Sequence, residues 1–291
     1  MQFTIDPVMA EICSEANEAV VRYADCRNES GAKNYMLDFT LNVLTAQPGQ
    51  THLFFLGQAG YIVKSAQGQL LGIDLYLSKC VRRVEGHMGF KRLLPRLLEP
   101  FDLNFDSLIA THSHFDHFDM DAIPQLMENM HTRLFASENC WAEVNRLMME
   151  HNRITYVRPG DVCQAGEFKL HFIECDHGEQ APDAVGVLVT VDGKRICVVG
   201  DSSLHLERAP IYMADGPIDV LIAPINGLNG NLSEQDCASL SSVLHPRMVI
   251  PCHYGMFASH GGDPGKFKSI MDEKYPKQEY QIMAMGERMT L

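Results

Sequence analysis

The chain has 291 residues, 46% of them hydrophobic and 21% charged, the balance of a globular protein and not of a disordered, fibrous or membrane-spanning one. Its 24 Lys+Arg against 37 Asp+Glu give a formal net charge of -13, so the overall field repels polyanions and nucleic acid is excluded as a principal partner. The nine cysteines form no CxxC pair, the segment Met1 to Pro7 lacks the basic and apolar regions of a signal peptide, and no apolar run approaches the roughly 20 residues needed to span a bilayer. A reduced, cytoplasmic setting with no membrane contact is expected.

In chain order, Asp6 as N-cap, Pro7 at the first position and Val8, Met9, Ile12, Ala16, Ala19, Val20 and Tyr23 at helical spacing predict an amphipathic helix over 6–26. The polar stretch from Arg27 to Lys33 breaks that pattern. Strand-like runs follow at His52–Leu56, Tyr61–Ser65 and Leu70–Leu75, separated by the glycine-containing turns 57–60 and 67–68. From Phe105 the rhythm becomes strand, loop, helix: Ser107–Ala110 reads as a short buried strand, and helices are predicted over Ala122–Met130 and Glu138–His151. Further strands are expected at Phe168–Ile173, Val185–Val191, Ile196–Val199, Val220–Ile225 and Met248–Pro251, with a helix over Ser233–Leu244. With no linker-like tract, the economical division is an N-terminal helical extension over 1–50, packed on the domain, and one α/β domain over 51–291.

The chemistry concentrates in Thr111-His112-Ser113-His114-Phe115-Asp116-His117, where three imidazoles and a carboxylate fall within six residues just after a buried strand. The pattern HxHxDH arises by chance in on the order of two chains in a thousand of this composition. Imidazole nitrogen and carboxylate oxygen together suit a borderline divalent cation. Three more candidate ligands, His177, Asp201 and His253, each lie just past a hydrophobic strand, so four strand ends deliver ligands to one edge. Seven ligands are too many for one tetrahedral ion and suit two ions that share a bridge.

This spaced set of HxHxDH, a later His, a Gly-Asp after a strand and a final His resembles the metallo-β-lactamase superfamily over about residues 50–291. The resemblance implies a four-layer αββα sandwich. It further implies that His112, His114 and His177 hold one metal ion, that Asp116, His117 and His253 hold a second, and that Asp201 bridges them. Within the superfamily the chain is most similar to the L-ascorbate-6-phosphate lactonase group, on the runs 56–65, 110–119, 159–162 and 200–202. It departs from that group in the short stretch from His177 to Val185.

The chemistry so implied is hydrolysis by a hydroxide generated between two divalent ions, manganese or zinc, with Asp116 passing a proton to the leaving oxygen and Asp176 or Asp74 orienting a ligand imidazole. The expected substrate is a lactone or similar small anionic ester; the alternative is a phosphodiesterase acting on small nucleotide or phospholipid-like diesters. Arg82, Arg83, Lys91, Arg92 and Arg96, clustered in an otherwise acidic chain, are the expected anion clamp, or else solvated surface charges. Gly86 to Gly89 reads as a lid or a plain connecting loop, and Tyr254 and His260 as candidates to line the pocket. A homo-oligomer is left open, with the helix over 6–26 packed on the domain or at a subunit contact.

Overall fold

The computed structural model describes residues 31–291. The helix expected over 6–26 lies outside the described residues. Helix α1 (Gly31–Leu44) leads into three antiparallel strands, β1 (His52–Gly57), β2 (Gly60–Lys64) and β3 (Leu70–Ile73). Period-two alternation sets their two faces: Leu53, Phe55, Tyr61 and Val63 point to one side, and Phe54, Leu56 and Ile62 to the other. Both faces are buried, so these strands carry almost no polar residue.

After β3 come α2 (Cys80–Glu85), β4 (Ser107–Ala110), α3 (Ile123–Leu126), β5 (Arg133–Ser137), α4 (Cys140–Arg146) and β6 (Ile154–Val157). Strands β3 to β6 pair in parallel. The second half supplies β7 (Val162–Ala165), β8 (Phe168–Glu174), β9 (Val185–Val191), β10 (Lys194–Val198), α5 (Ala209–Tyr212), β11 (Val220–Pro224), α6 (Glu234–Leu244), β12 (Met248–Cys252), α7 (Pro264–Lys274) and β13 (Arg288–Thr290). They form a seven-stranded sheet, β13-β1-β2-β3-β4-β5-β6, and a six-stranded sheet, β12-β11-β10-β9-β8-β7.

Three apolar layers show how these parts stack. Leu53, Phe55, Phe172, Val187 and Ile222 meet between the sheets. Phe39 and Val43 of α1 and Val144 of α4 cover the outer face of the first sheet. Leu240 and Leu244 of α6 with Phe267 and Met271 of α7 cover that of the second. The result is the expected helix–sheet–sheet–helix sandwich. Helix α6 begins at a capping box in which the Ser233 hydroxyl accepts from the Asp236 N–H and the Asp236 carboxylate accepts from the Ser233 N–H.

Three local expectations change. Helix α1 starts within the polar stretch 27–33 read as a break and runs on to Leu44, a helix not separately expected inside the 1–50 extension; its signal is the i, i+4 pair Phe39 and Val43. Lys64 Nζ holds its C-terminal end by donating to the Val43 and Leu44 carbonyls at 2.8 and 2.9 Å. The helix expected over 122–130 is one turn, because the chain reverses at Asn129 to enter β5, with Arg153 donating to the Met127, Asn129 and Thr132 carbonyls. The helix expected over 138–151 ends at Arg146, and Met148 follows in the left-handed region at φ 54°. A helix at 264–274 also forms, its first N–H groups at Gly265 and Lys266 donating to the Asp263 carboxylate.

Candidate metal centre

The ends of β3, β4, β8, β10 and β12 lie along one edge of the sandwich and carry the residues singled out by the sequence. The segment after β4 brings His112, His114, Asp116 and His117; the segments after β8, β10 and β12 bring His177, Asp201 and His253. Parallel strands with short exits make this convergence possible, since side chains just beyond several strand ends project into one crevice. Three triads have ligand atoms within 4.8 Å of one another: His112–His114–His177, His112–His117–Asp201 and Asp116–His117–His253. Asp201 Oδ2 sits between them, 3.0 Å from His253 Nε2, 3.5 Å from His117 Nε2 and 3.9 Å from His177 Nε2.

The chain fixes these groups from behind. Asp74, at φ 47° just past β3, accepts from the Thr111 N–H at 2.8 Å, the Thr111 hydroxyl at 2.7 Å and His117 Nδ1–H at 2.8 Å. That last bond commits a proton to His117 Nδ1 and turns its Nε2 toward Asp116, Asp201 and His253. Asp119 accepts five hydrogen bonds, from Leu77 N, Ser78 N, Ser78 Oγ, Asp121 N and Ala122 N, and so ties the ligand loop to the segment leading into α2. Asn231 Nδ2 donates to Asp201 Oδ2 at 2.8 Å. Gln58, buried in the turn between β1 and β2, donates from Nε2 to Asp116 Oδ2 at 2.9 Å, and its backbone carbonyl accepts from the His253 backbone N–H at 2.8 Å. Gln58 and His253 both hold positive φ, 56° and 64°, a conformation that side chains other than glycine adopt only when their surroundings enforce it.

The donor set fits a divalent cation. His112 Nε2 lies 2.9 Å and His177 Nε2 3.2 Å from His114 Nδ1. Burial, followed by the neighbouring His117, holds His112 well below the ordinary histidine pKa. Burial likewise lowers His114, and it lowers His177 to about 4. Neutral imidazoles carry one proton each, so three nitrogens meet with too few protons to pair their lone pairs, the condition a Lewis acid relieves. Burial alone would raise the Asp201 carboxyl, but the facing His253 and His117 imidazoles reverse this and leave it well below its ordinary value. It is therefore ionised where the two clusters meet.

Above the ligands lies a cavity of about 230 Å³ whose floor includes His114, Asp116, His177 and Asp201. Val81, Met88, Phe90 and Phe257 give it apolar lining, and Glu85, Gln180, Asn229 and His260 polar lining. His260 thus lines the cavity as expected; its ring meets that of His253 edge-on at 4.6 Å and stacks on Phe257 at 5.6 Å. The segment 86–89, a single turn of helix with Met88 in the wall, is part of the enclosure. Tyr254 is not: its hydroxyl donates to the Met283 carbonyl at 2.7 Å and its ring packs on Phe55.

The anticipated anion clamp does not assemble. Arg92 donates to the Leu94, Tyr76, Ser78 and Pro95 carbonyls, with its guanidinium 4.7 Å from the centre of the Tyr76 ring. Arg83 pairs with Asp121 at the surface, Arg96 pairs with Glu99, and Arg82 and Lys91 are exposed. None of the five lines the cavity. Orphaned carbonyls along an irregular segment attract guanidinium groups as well as a substrate would, and a run of charges in sequence does not reveal which demand prevails. Of the two anticipated supports, Asp74 grips His117, whereas Asp176 pairs with His205 and Ser203.

Comparison with known proteins places the chain in a family. The model of a β-lactamase superfamily domain matches residues 52–253. A metal-dependent hydrolase of Staphylococcus saprophyticus is 29% identical over 208 residues, covering 66% of this chain and 85% of that protein. A protein of Escherichia fergusonii described as a probable L-ascorbate-6-phosphate lactonase is 23% identical over 275 residues, covering 80% and 77%. The structure of a possible metal-dependent hydrolase from Veillonella parvula superposes with a TM-score of 0.68 at 16% identity, covering 83% of this chain and all of that one (100%).

Proposed function

Since the chain belongs to the metallo-β-lactamase superfamily and is a metal-dependent hydrolase, we propose that it opens a lactone or a similar small ester with water as the nucleophile. The observation that supports this reading is the position of Asp201 between two ligand clusters on the floor of a small cavity. His112, His114 and His177 would hold one divalent ion, manganese or zinc, and Asp116, His117 and His253 a second, with Asp201 shared. Bound ions would supply a water of lowered pKa and a Lewis acid for the carbonyl oxygen.

The remaining work falls to the chain. Asp74 keeps the His117 lone pair aimed inward, and Asn231 keeps Asp201 turned toward both clusters. Asp116 is held ionised, because the facing His117, His253 and His260 outweigh its burial. It borders the cavity with one oxygen anchored by Gln58, which equips it to take the proton that water loses and return it to the departing alkoxide. No side chain has to form a covalent intermediate.

The test is hydrolysis by chain stripped of metal and then reloaded with Mn²⁺ or Zn²⁺. The substrates are methyl hexanoate, δ-valerolactone, L-ascorbate 6-phosphate and bis(p-nitrophenyl) phosphate. The reading requires no turnover without metal, and at least tenfold higher kcat/KM on one of the carboxylic esters or lactones than on the diester with metal restored. A preference for the diester would replace it with the phosphodiesterase reading. Turnover persisting in a chain carrying both His114→Ala and Asp116→Ala would overturn it.

A further inference from the structure

Resting on the hydrolytic reading of this cavity, we infer that the substrate's body, beyond the bond that is cut, is apolar and carries no negative charge. Four apolar side chains, Val81, Met88, Phe90 and Phe257, line the cavity. Met88, in the wall, is also partly open to solvent, so a hydrocarbon seated in the cavity keeps apolar contact toward its mouth. The polar lining consists of two amides, one imidazole and the carboxyl of Glu85, with no Lys or Arg among the described residues that border it. The nearest cations in sequence face elsewhere: Arg92 satisfies backbone carbonyls and Arg83 satisfies Asp121.

A phosphate or carboxylate on the substrate's far end would therefore lose its hydration with no Lys or Arg among the described lining residues to replace it, beside the carboxyl of Glu85. Recognition of such anions normally rests on paired, bidentate donors. Gln180, Asn229 and His260 offer hydrogen bonds to an uncharged polar group instead. At about 230 Å³ the cavity is smaller than the roughly 300 to 1,000 Å³ of pockets for drug-sized ligands, which restricts the body to a short chain or a single small ring. Exclusion of anions is thus a matter of specificity by an unfavourable neighbour as much as by a favourable one.

The experiment uses the full-length, metal-loaded chain and three methyl esters that share a six-carbon acyl chain and differ only at its far end: methyl hexanoate, methyl 6-aminohexanoate and monomethyl adipate. The neutral and cationic esters are expected to exceed the anionic one at least tenfold in kcat/KM. Glu85→Gln should narrow that ratio, and Glu85→Lys should narrow it further. Equal or better turnover of monomethyl adipate, or of L-ascorbate 6-phosphate over every neutral ester, would overturn the inference while leaving ester hydrolysis intact. If neither these esters nor the lactones are turned over, the hydrolytic reading fails by itself. Binding of hexanamide, 6-aminohexanamide and adipic monoamide, followed by ligand-observed NMR, then decides the charge preference: the same order supports it, and tightest binding of adipic monoamide overturns it.

Discussion

Replacing Asp74 with Asn isolates the role of the carboxylate behind the ligands. The wild-type group accepts three short hydrogen bonds and has no exposed surface. In the variant the amide oxygen can keep the Thr111 N–H, and the Thr111 hydroxyl can rotate to accept from the new NH2. His117 Nδ1–H is left facing a donor. Its least costly escape is to move the proton to Nε2, where a lone pair is needed for metal. A lost partner behind a ligand histidine lowers metal affinity 10- to 100-fold, or about 1.4 to 2.7 kcal/mol. One unsatisfied buried group adds about 1 to 3 kcal/mol of instability. Metal affinity can be read by competition with a chromophoric chelator, and the His117 tautomer by nitrogen-15 NMR of the ring. A folded variant that binds metal within twofold of wild type, with His117 still protonated at Nδ1, would refute the reasoning.

Two other perturbations test the scaffold and the histidine environment. In Gly186→Ala the new methyl would fall 2.7 and 2.8 Å from the Val199 and Val198 carbonyl oxygens; because backbone cannot step aside cheaply, a loss of about 1 to 3 kcal/mol in urea unfolding is expected, and an unchanged midpoint would refute the close approach. Burial, with the charge of His253, lowers His260 to about 4, so between pH 6.5 and 4 the unfolded state takes up a proton that the folded state refuses. The His260 contribution to the stability of the metal-free chain must then fall as pH drops through that window and level off below about pH 4. His260 contributes at most about 3 kcal/mol to the fall, and His177, lowered to about 4, acts with the same sign. His260→Phe should flatten the slope of unfolding midpoints measured at pH 4.5, 5.5 and 6.5, and a slope equal to wild type would show that His260 is not the group responsible.

The strands and their ligand-bearing exits were readable from sequence because both signals are local. A buried strand such as Val185–Val191 announces itself by β-branched apolar residues, and HxHxDH has a spacing that few other demands produce. What escaped reading depended on distant partners. Gln58 becomes part of the site only because β1 and β12 place its amide beside Asp116 and its carbonyl against His253; a long polar residue inside the tight turn from Gly57 to Gly60 was its one signal. Nothing local marks Asn231, whose partner is 30 positions away. The arginines differ in kind: their charge is legible in sequence, but the carbonyls that claim Arg92 exist only once the segment from Tyr76 to Pro95 has its irregular course. Helix α1 carries little local signal beyond Phe39 and Val43, because the face it buries is defined by the first sheet it packs on.

The ligands are split across the two sheets. His112, His114, Asp116 and His117 follow β4 in the first, while His177, Asp201 and His253 follow strands of the second, and the two sets are contiguous in sequence on either side of the turn at Arg158–Asp161. A chain cut at that turn yields two fragments, neither of which carries a complete cluster. The later fragment also bears β13, the edge strand that pairs with β1 of the other, and so brings its own strap. Metal capture would then report recombination of the halves, which makes this sandwich a natural template for a split reporter whose signal is coordination.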